Sequence, residues 1–155
     1  MSKFAGMGVP VDKPSRMYIT HPVTNEPLVD KSDNPAYVDV YSADSNRARA
    51  YNRTATQKRL DMRGRNAVSA VALENDGYGF LAELTSGWHL VDINTGEPVA
   101  VPCTTQNARE LYSEPEMTWL KDQVDTFAGV RGNFLKPSAK GSGDSQNESS
   151  KANEG

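Results

Sequence analysis

His21, His89 and Cys103 are the side chains of this chain best suited to metal ligation or nucleophilic attack, and their spacing supports neither. Metal sites legible in a sequence place ligands at short, fixed intervals, such as i, i+4 on a helix or C-x-x-C. Here the two histidines lie far apart and Cys103 is the single cysteine, so no thiolate-rich site and no intramolecular disulfide can form within one chain. A cysteine and a histidine can meet in space as nucleophile and base, but nothing selects that pairing. At the end of Val99-Ala100-Val101 the thiol reads as a partly buried small apolar group. Gly77-Tyr78-Gly79 lacks the frame and the lysine of a phosphate loop. The carboxylates fall mostly on expected helix faces, where solvation accounts for them. The expectation is a non-enzymatic protein with no catalytic residues, metal or cofactor.

The strongest positional signal is basic: Arg47, Arg49, Arg53, Lys58, Arg59, Arg63 and Arg65, broken by Asp61. On a helix these residues would present a broad cationic surface. Clustered Arg and Lys suffice for phosphate neutralisation, yet the chain lacks a high pI and any nucleic-acid-binding motif. A solvated face or an acidic protein partner is the preferred reading. The charge is also divided along the chain: residues 1–65 carry 11 Lys and Arg against 7 Asp and Glu, whereas residues 66–155 carry 6 against 13. That division can steer partners or drive head-to-tail self-association.

The elements that must position these residues fit one small domain. The 155 residues are 37% hydrophobic and 24% charged, enough for a modest core under a polar surface. No run approaches signal-peptide or membrane-spanning length, and the single cysteine suits a reducing compartment. Residues 136–155 lack aromatic and branched aliphatic side chains and are expected to be a disordered tail. Residues 1–15 are expected to be a flexible arm and residues 16–135 a single α+β domain, dominated by helix.

Met17–His21 and Tyr37–Tyr41 read as short strands that pair antiparallel, with Val38 and Val40 on the buried side. Ser42 or Asp44 is expected to cap a helix reaching Met62. Ala67–Leu73 and Phe80–Leu84 read as helix interrupted at Asp76-Gly77-Tyr78-Gly79, with Gly87 as C-cap and Trp88 anchoring the turn. Asn94-Thr95-Gly96 signals a hairpin between His89–Asp92 and Pro98–Val101. Thr104 should cap a helix to Tyr112, and Ser113-Glu114-Pro115-Glu116 reads as a capping box before a last helix. On that helix Met117, Leu120, Val124 and Phe127 or Ala128 share a face, and the chain then folds back at Arg131-Gly132-Asn133. Trp88, Trp119 and Phe127 are expected in the core.

Two blocks resemble small tail proteins of tailed bacteriophages and prophages. The first is Ile19-Thr20-His21-Pro22-Val23-Thr24-Asn25-Glu26-Pro27-Leu28 with Pro35–Val40 and Asp44-Ser45. The second runs Leu84-Thr85-Ser86-Gly87-Trp88, Gly96-Glu97-Pro98, Cys103-Thr104, Asn107-Ala108, Leu111-Tyr112, Trp119-Leu120, Gln123-Val124 and Arg131-Gly132-Asn133-Phe134. This second block is similar to phage tail assembly chaperones over about residues 80–135, with Thr104 where the family usually has serine. The resemblance implies a protein of the bacterial host cytoplasm that binds and solubilises the tape-measure protein, or another phage tail protein, and is absent from the mature virion.

On that reading the expected docking residues are Leu120, Val124 and Phe127, or the neighbouring 80–88 segment, assisted by Arg47, Arg49, Arg53, Arg59 and Arg63. The alternatives are a minor structural protein of the virion, such as a tail-completion or connector subunit, and a small nucleic-acid-binding regulator.

Overall fold

A computed structural model describes residues 3–61 and 70–135. Arg63, Arg65, Met62, the first part of the expected Ala67–Leu73 helix and the tail 136–155 lie outside the described residues. The order is β1 (Ser15–Tyr18), β2 (Tyr37–Val40), α1 (Asn46–Asp61), α2 (Ala70–Leu84), β3 (Thr85–Val91), β4 (Pro98–Val99), α3 (Thr105–Ser113) and α4 (Thr118–Gly129). The strands form one antiparallel sheet in sequence order. Helix outweighs strand, 46% to 18%, so the fold is the expected helix-dominant α+β.

Alternation along the strands makes the sheet two-faced. Met17, Val38 and Val40 turn inward and are buried with Leu81 and Leu84 of α2, Tyr112 of α3 and Leu120 and Val124 of α4. On the outer face Arg16 sits opposite Asp39 and binds it through two guanidinium nitrogens, Nε–Oδ1 2.9 Å and Nη2–Oδ2 3.2 Å. The same guanidinium lies 3.6 Å from the centroid of the Tyr37 ring.

The register between β2 and β3 slips at Asp39/Val40: Gly87 faces Asp39, but Thr85 faces Val40. Ser86 is the extra residue of this bulge, and its hydroxyl donates to Asp39 O at 3.3 Å. Without it, Thr85 and Trp88 would point to opposite faces; with it, both turn toward the helices.

Four local expectations are corrected. The N-cap of α1 is Ser45, whose Oγ accepts from Ala48 N at 3.2 Å and whose carbonyl accepts from Arg49 N. Ser42 and Asp44 instead build the preceding turn, Ser42 Oγ accepting from Asp44 N. Second, α2 runs unbroken through Asp76–Gly79. Glycine costs a helix about 1 kcal/mol, but a Cβ on Gly79 would collide with the Tyr51 hydroxyl and the Arg109 guanidinium. Close packing of α1 and α3 thus demands the residue that local propensity disfavours.

Third, Gly87 is a strand residue and not a C-cap, because other groups satisfy the carbonyls at the end of α2. Tyr41 N–H donates to Leu84 O, Arg47 Nη1 to Glu83 O and Thr85 Oγ1 to Leu81 O. Trp88 accordingly sits within β3, half-buried, its indole N–H donating to Val101 O at 2.7 Å. Fourth, no capping box forms at Ser113, which closes α3 by donating to Glu110 O. Pro115 opens a 3-10 turn to Met117, and α4 starts only at Thr118.

The hairpin forms where expected, with Gly96 at φ 77°. Thr104 caps α3 by accepting from Asn107 N at 3.0 Å, and Phe134 folds back into the interior. Residues 3–14 include a 3-10 turn at Ala5–Met7 and a contact to α1, where Asp12 accepts from Asn46 through both backbone and side chain. Among the described residues no helix is long and apolar enough to cross a membrane.

Candidate protein-docking groove

The hairpin and the α3–α4 connection stand apart from each other across an apolar groove of about 320 Å³. Its floor is core: Ile19, Val91 and Leu120 are buried. Its walls are half-buried or exposed: Leu28, Leu90, Leu111, Met117 and Trp119 on the sides, with Ile93 and Val99 each 40% exposed at the hairpin lip. Such a surface suits the protruding side chains of an amphipathic helix. The charged residues lining it are Asp92 and Glu116.

Local sequence explains the shape. Asp92 Oδ1 accepts from Asn94 N at 2.8 Å and Thr95 N at 3.1 Å, which tightens the hairpin and throws Ile93 to its outside. The 3-10 turn at Pro115–Met117 delays the start of α4, so Trp119 falls beside the buried stripe and faces the groove.

The docking residues expected from the sequence distribute differently. Leu120 and Val124 are 1% and 0% exposed, so both belong to the core, and Leu120 meets the groove only as part of its floor. The apolar stripe of a helix laid on a sheet is consumed by that sheet. Phe127 is half-buried and packs edge-on against Phe134, with ring centroids 5.6 Å apart; Ala128 takes the buried position. Trp88, Trp119 and Phe127 are all half-buried against the core and not enclosed within it. Of the 80–88 segment, Leu81, Ala82, Leu84 and Thr85 are buried.

The arginines do not form one cationic face. At about 3.6 residues per turn, Arg49 and Arg53 point away from α2 while Arg47 and Arg59 flank it. Arg47 lies 3.8 Å from Glu83 and 4.6 Å from the centroid of the Tyr41 ring, and Arg59 lies 3.3 Å from Asp76. Intramolecular partners thus absorb part of the charge. Arg63 is outside the described residues.

The remaining reactive side chains have structural settings. His21 Nδ1 accepts from Val23 N and Thr24 N in the turn after β1. His89 Nε2 lies 2.9 Å from Asp30 Oδ2. Backbone N–H donation from Asn34, followed by the contact with His89, lowers the Asp30 carboxyl to about 2. Burial raises the Cys103 thiol above its ordinary range, away from the thiolate that nucleophilic chemistry needs. Among the described residues no three His, Cys, Asp or Glu side chains gather at a metal-binding spacing.

Comparison with protein-family models, with curated proteins and with solved structures finds no match.

The groove escaped sequence reading because its walls come from three separate stretches. Two local signals pointed to it: Ile93, an apolar residue inside a turn, and Trp119, an aromatic residue off the buried stripe of α4.

Proposed function

We propose that this protein binds a longer helical polypeptide and keeps it soluble, acting as a tail assembly chaperone for a tape-measure protein in the cytoplasm of a phage-infected bacterium. The observation that carries the reading is the open apolar groove with Trp119 on its wall. A tape-measure protein is long and helix-forming, with apolar stripes that need cover until the tail tube encloses them. A small binder with an apolar groove meets that need without joining the tube. The resemblance over residues 80–135 gives the reading its phage context.

Coexpression with the long tail protein encoded nearby is the test. Soluble, copurifying partner is expected, together with absence of this chain from purified particles by mass spectrometry. A partner equally insoluble with and without the chain, and no copurification, would refute the chaperone role. Recovery of the chain from particles would establish the virion-subunit alternative.

A further inference from the structure

We propose that the groove selects amphipathic helices whose apolar stripe is flanked by lysine or arginine, through Asp92 on one lip and Glu116 on the other. The proposal rests on reading the groove as the docking site and assigns the chemistry of what docks there.

The two lips come from different elements and carry the same sign of charge. The hairpin tip Asp92-Ile93-Asn94-Thr95-Gly96-Glu97 and the connection Ser113-Glu114-Pro115-Glu116-Met117 contain four carboxylates and no cation. At the hairpin, Lys31 is engaged by Glu97, Nζ–Oε2 2.7 Å, and Asp92 makes no ion pair among the described residues. Asp92 holds its carboxylate rigid by spending Oδ1 on two backbone N–H groups, and Oδ2 makes no hydrogen bond or ion pair among the described residues. Glu116 is exposed and makes no ion pair among the described residues. A helix lying between these lips places residues on both sides of its stripe against carboxylates. Basic residues there gain attraction beside an apolar, poorly screening floor, and acidic ones are repelled.

Among the described residues no helix of the chain combines an exposed apolar stripe with basic flanks. Residues 136–155 contain no aromatic or branched aliphatic side chain to fill the groove. The cationic helix α1 exposes one large apolar residue, Leu60, and so lacks the stripe. A separate polypeptide with a basic-flanked stripe is the occupant that the charge of the lips fits.

The test uses the full chain and three synthetic helices sharing one leucine stripe, flanked by Lys, Gln or Glu, with binding read by tryptophan fluorescence and calorimetry. The Lys helix is expected to bind about tenfold tighter than the Glu helix at low ionic strength, with the gap closing as salt is added. Glu116→Lys should shrink or reverse the preference for the Lys helix over the Glu helix, with an unaltered melting temperature confirming the fold. Equal affinity for the Lys and Glu helices would overturn the charge selection while leaving the groove reading standing. Binding of no helix, or binding indifferent to Trp119→Ala, would overturn the groove reading itself. Dimers in sedimentation that Glu116→Lys abolishes would assign the lips to a second copy and overturn the proposal.

Discussion

The Tyr112 hydroxyl and the Thr85 hydroxyl lie 2.7 Å apart in the interior, joining α3 to the junction where α2 becomes β3. Thr85 Oγ1 already donates to Leu81 O at 2.9 Å, so Tyr112 is the donor of the shared bond. Burial pushes the Tyr112 phenol well above its ordinary range, keeping it protonated and able to donate.

Thr85→Val strands the buried Tyr112 hydroxyl and should lower stability by about 1–3 kcal/mol. Tyr112→Phe removes the stranded group and leaves the Thr85–Leu81 bond, so its loss should be smaller, about 1 kcal/mol. Urea unfolding of the two variants checks the order; equal losses would mean that the bond does not organise the junction.

Neighbouring residues on α4 separate stability from docking. Leu120→Ala opens a cavity in the core and should cost about 2–5 kcal/mol. Trp119→Ala removes a half-buried wall, so its cost should stay below the ~3–5 kcal/mol of an enclosed tryptophan, while binding of a helical partner is lost. Thermal unfolding beside a pull-down separates these outcomes, and a Trp119→Ala protein that still binds would move docking elsewhere.

A methyl group at Gly79 meets the Tyr51 hydroxyl and lies 2.6 Å from Arg109 Nη2. Gly79→Ala should therefore destabilise by about 1–3 kcal/mol through overpacking, despite alanine's better helix propensity. Adding Tyr51→Phe removes one clashing atom and should recover part of the loss. A double-mutant cycle with no coupling between the positions would show that α1 and α2 relax independently.

The low Asp30 carboxyl sets an acid limit. Its folded value of about 2 lies below the ordinary 3.8, so its stabilising contribution is complete above pH 3.8 and disappears as pH falls through about 2. Asp30→Asn should lower stability at neutral pH and flatten the dependence across that window. Acid titrations followed by circular dichroism compare the two proteins; parallel curves would show that Asp30 contributes nothing to the pH dependence.

The second strand, the hairpin and the Thr104 cap were legible because each is local: alternation in Tyr37–Val40, Asn94-Thr95-Gly96 at the turn, a hydroxyl three residues before the N–H it binds. The first strand, expected at Met17–His21, instead runs Ser15–Tyr18 because its bounds follow its pairing with Tyr37–Val40. The continuity of α2 was not, since Gly79 is required by Tyr51 and Arg109, neither of which is its sequence neighbour. The end of α2 was misread for the same reason: its carbonyls are satisfied by Tyr41 and Arg47, about forty residues earlier in the chain. For the docking surface, periodicity correctly found the apolar stripe of α4 but cannot say whether a stripe meets the protein's own sheet or a partner. Burial of Leu120 and Val124 answers that, and the same geometry leaves Trp119 on the groove.

One further contact bears on how the sheet ends. The Gln123 side chain accepts from Thr20 N at 3.2 Å and donates to Thr20 O at 2.9 Å, just past the last residue of β1. A single amide thereby imitates the neighbouring strand that this margin lacks. Its own helix gives up no backbone bond to do so, because the clasp is made by a side chain. At Thr20 the margin is closed to strand addition by another molecule.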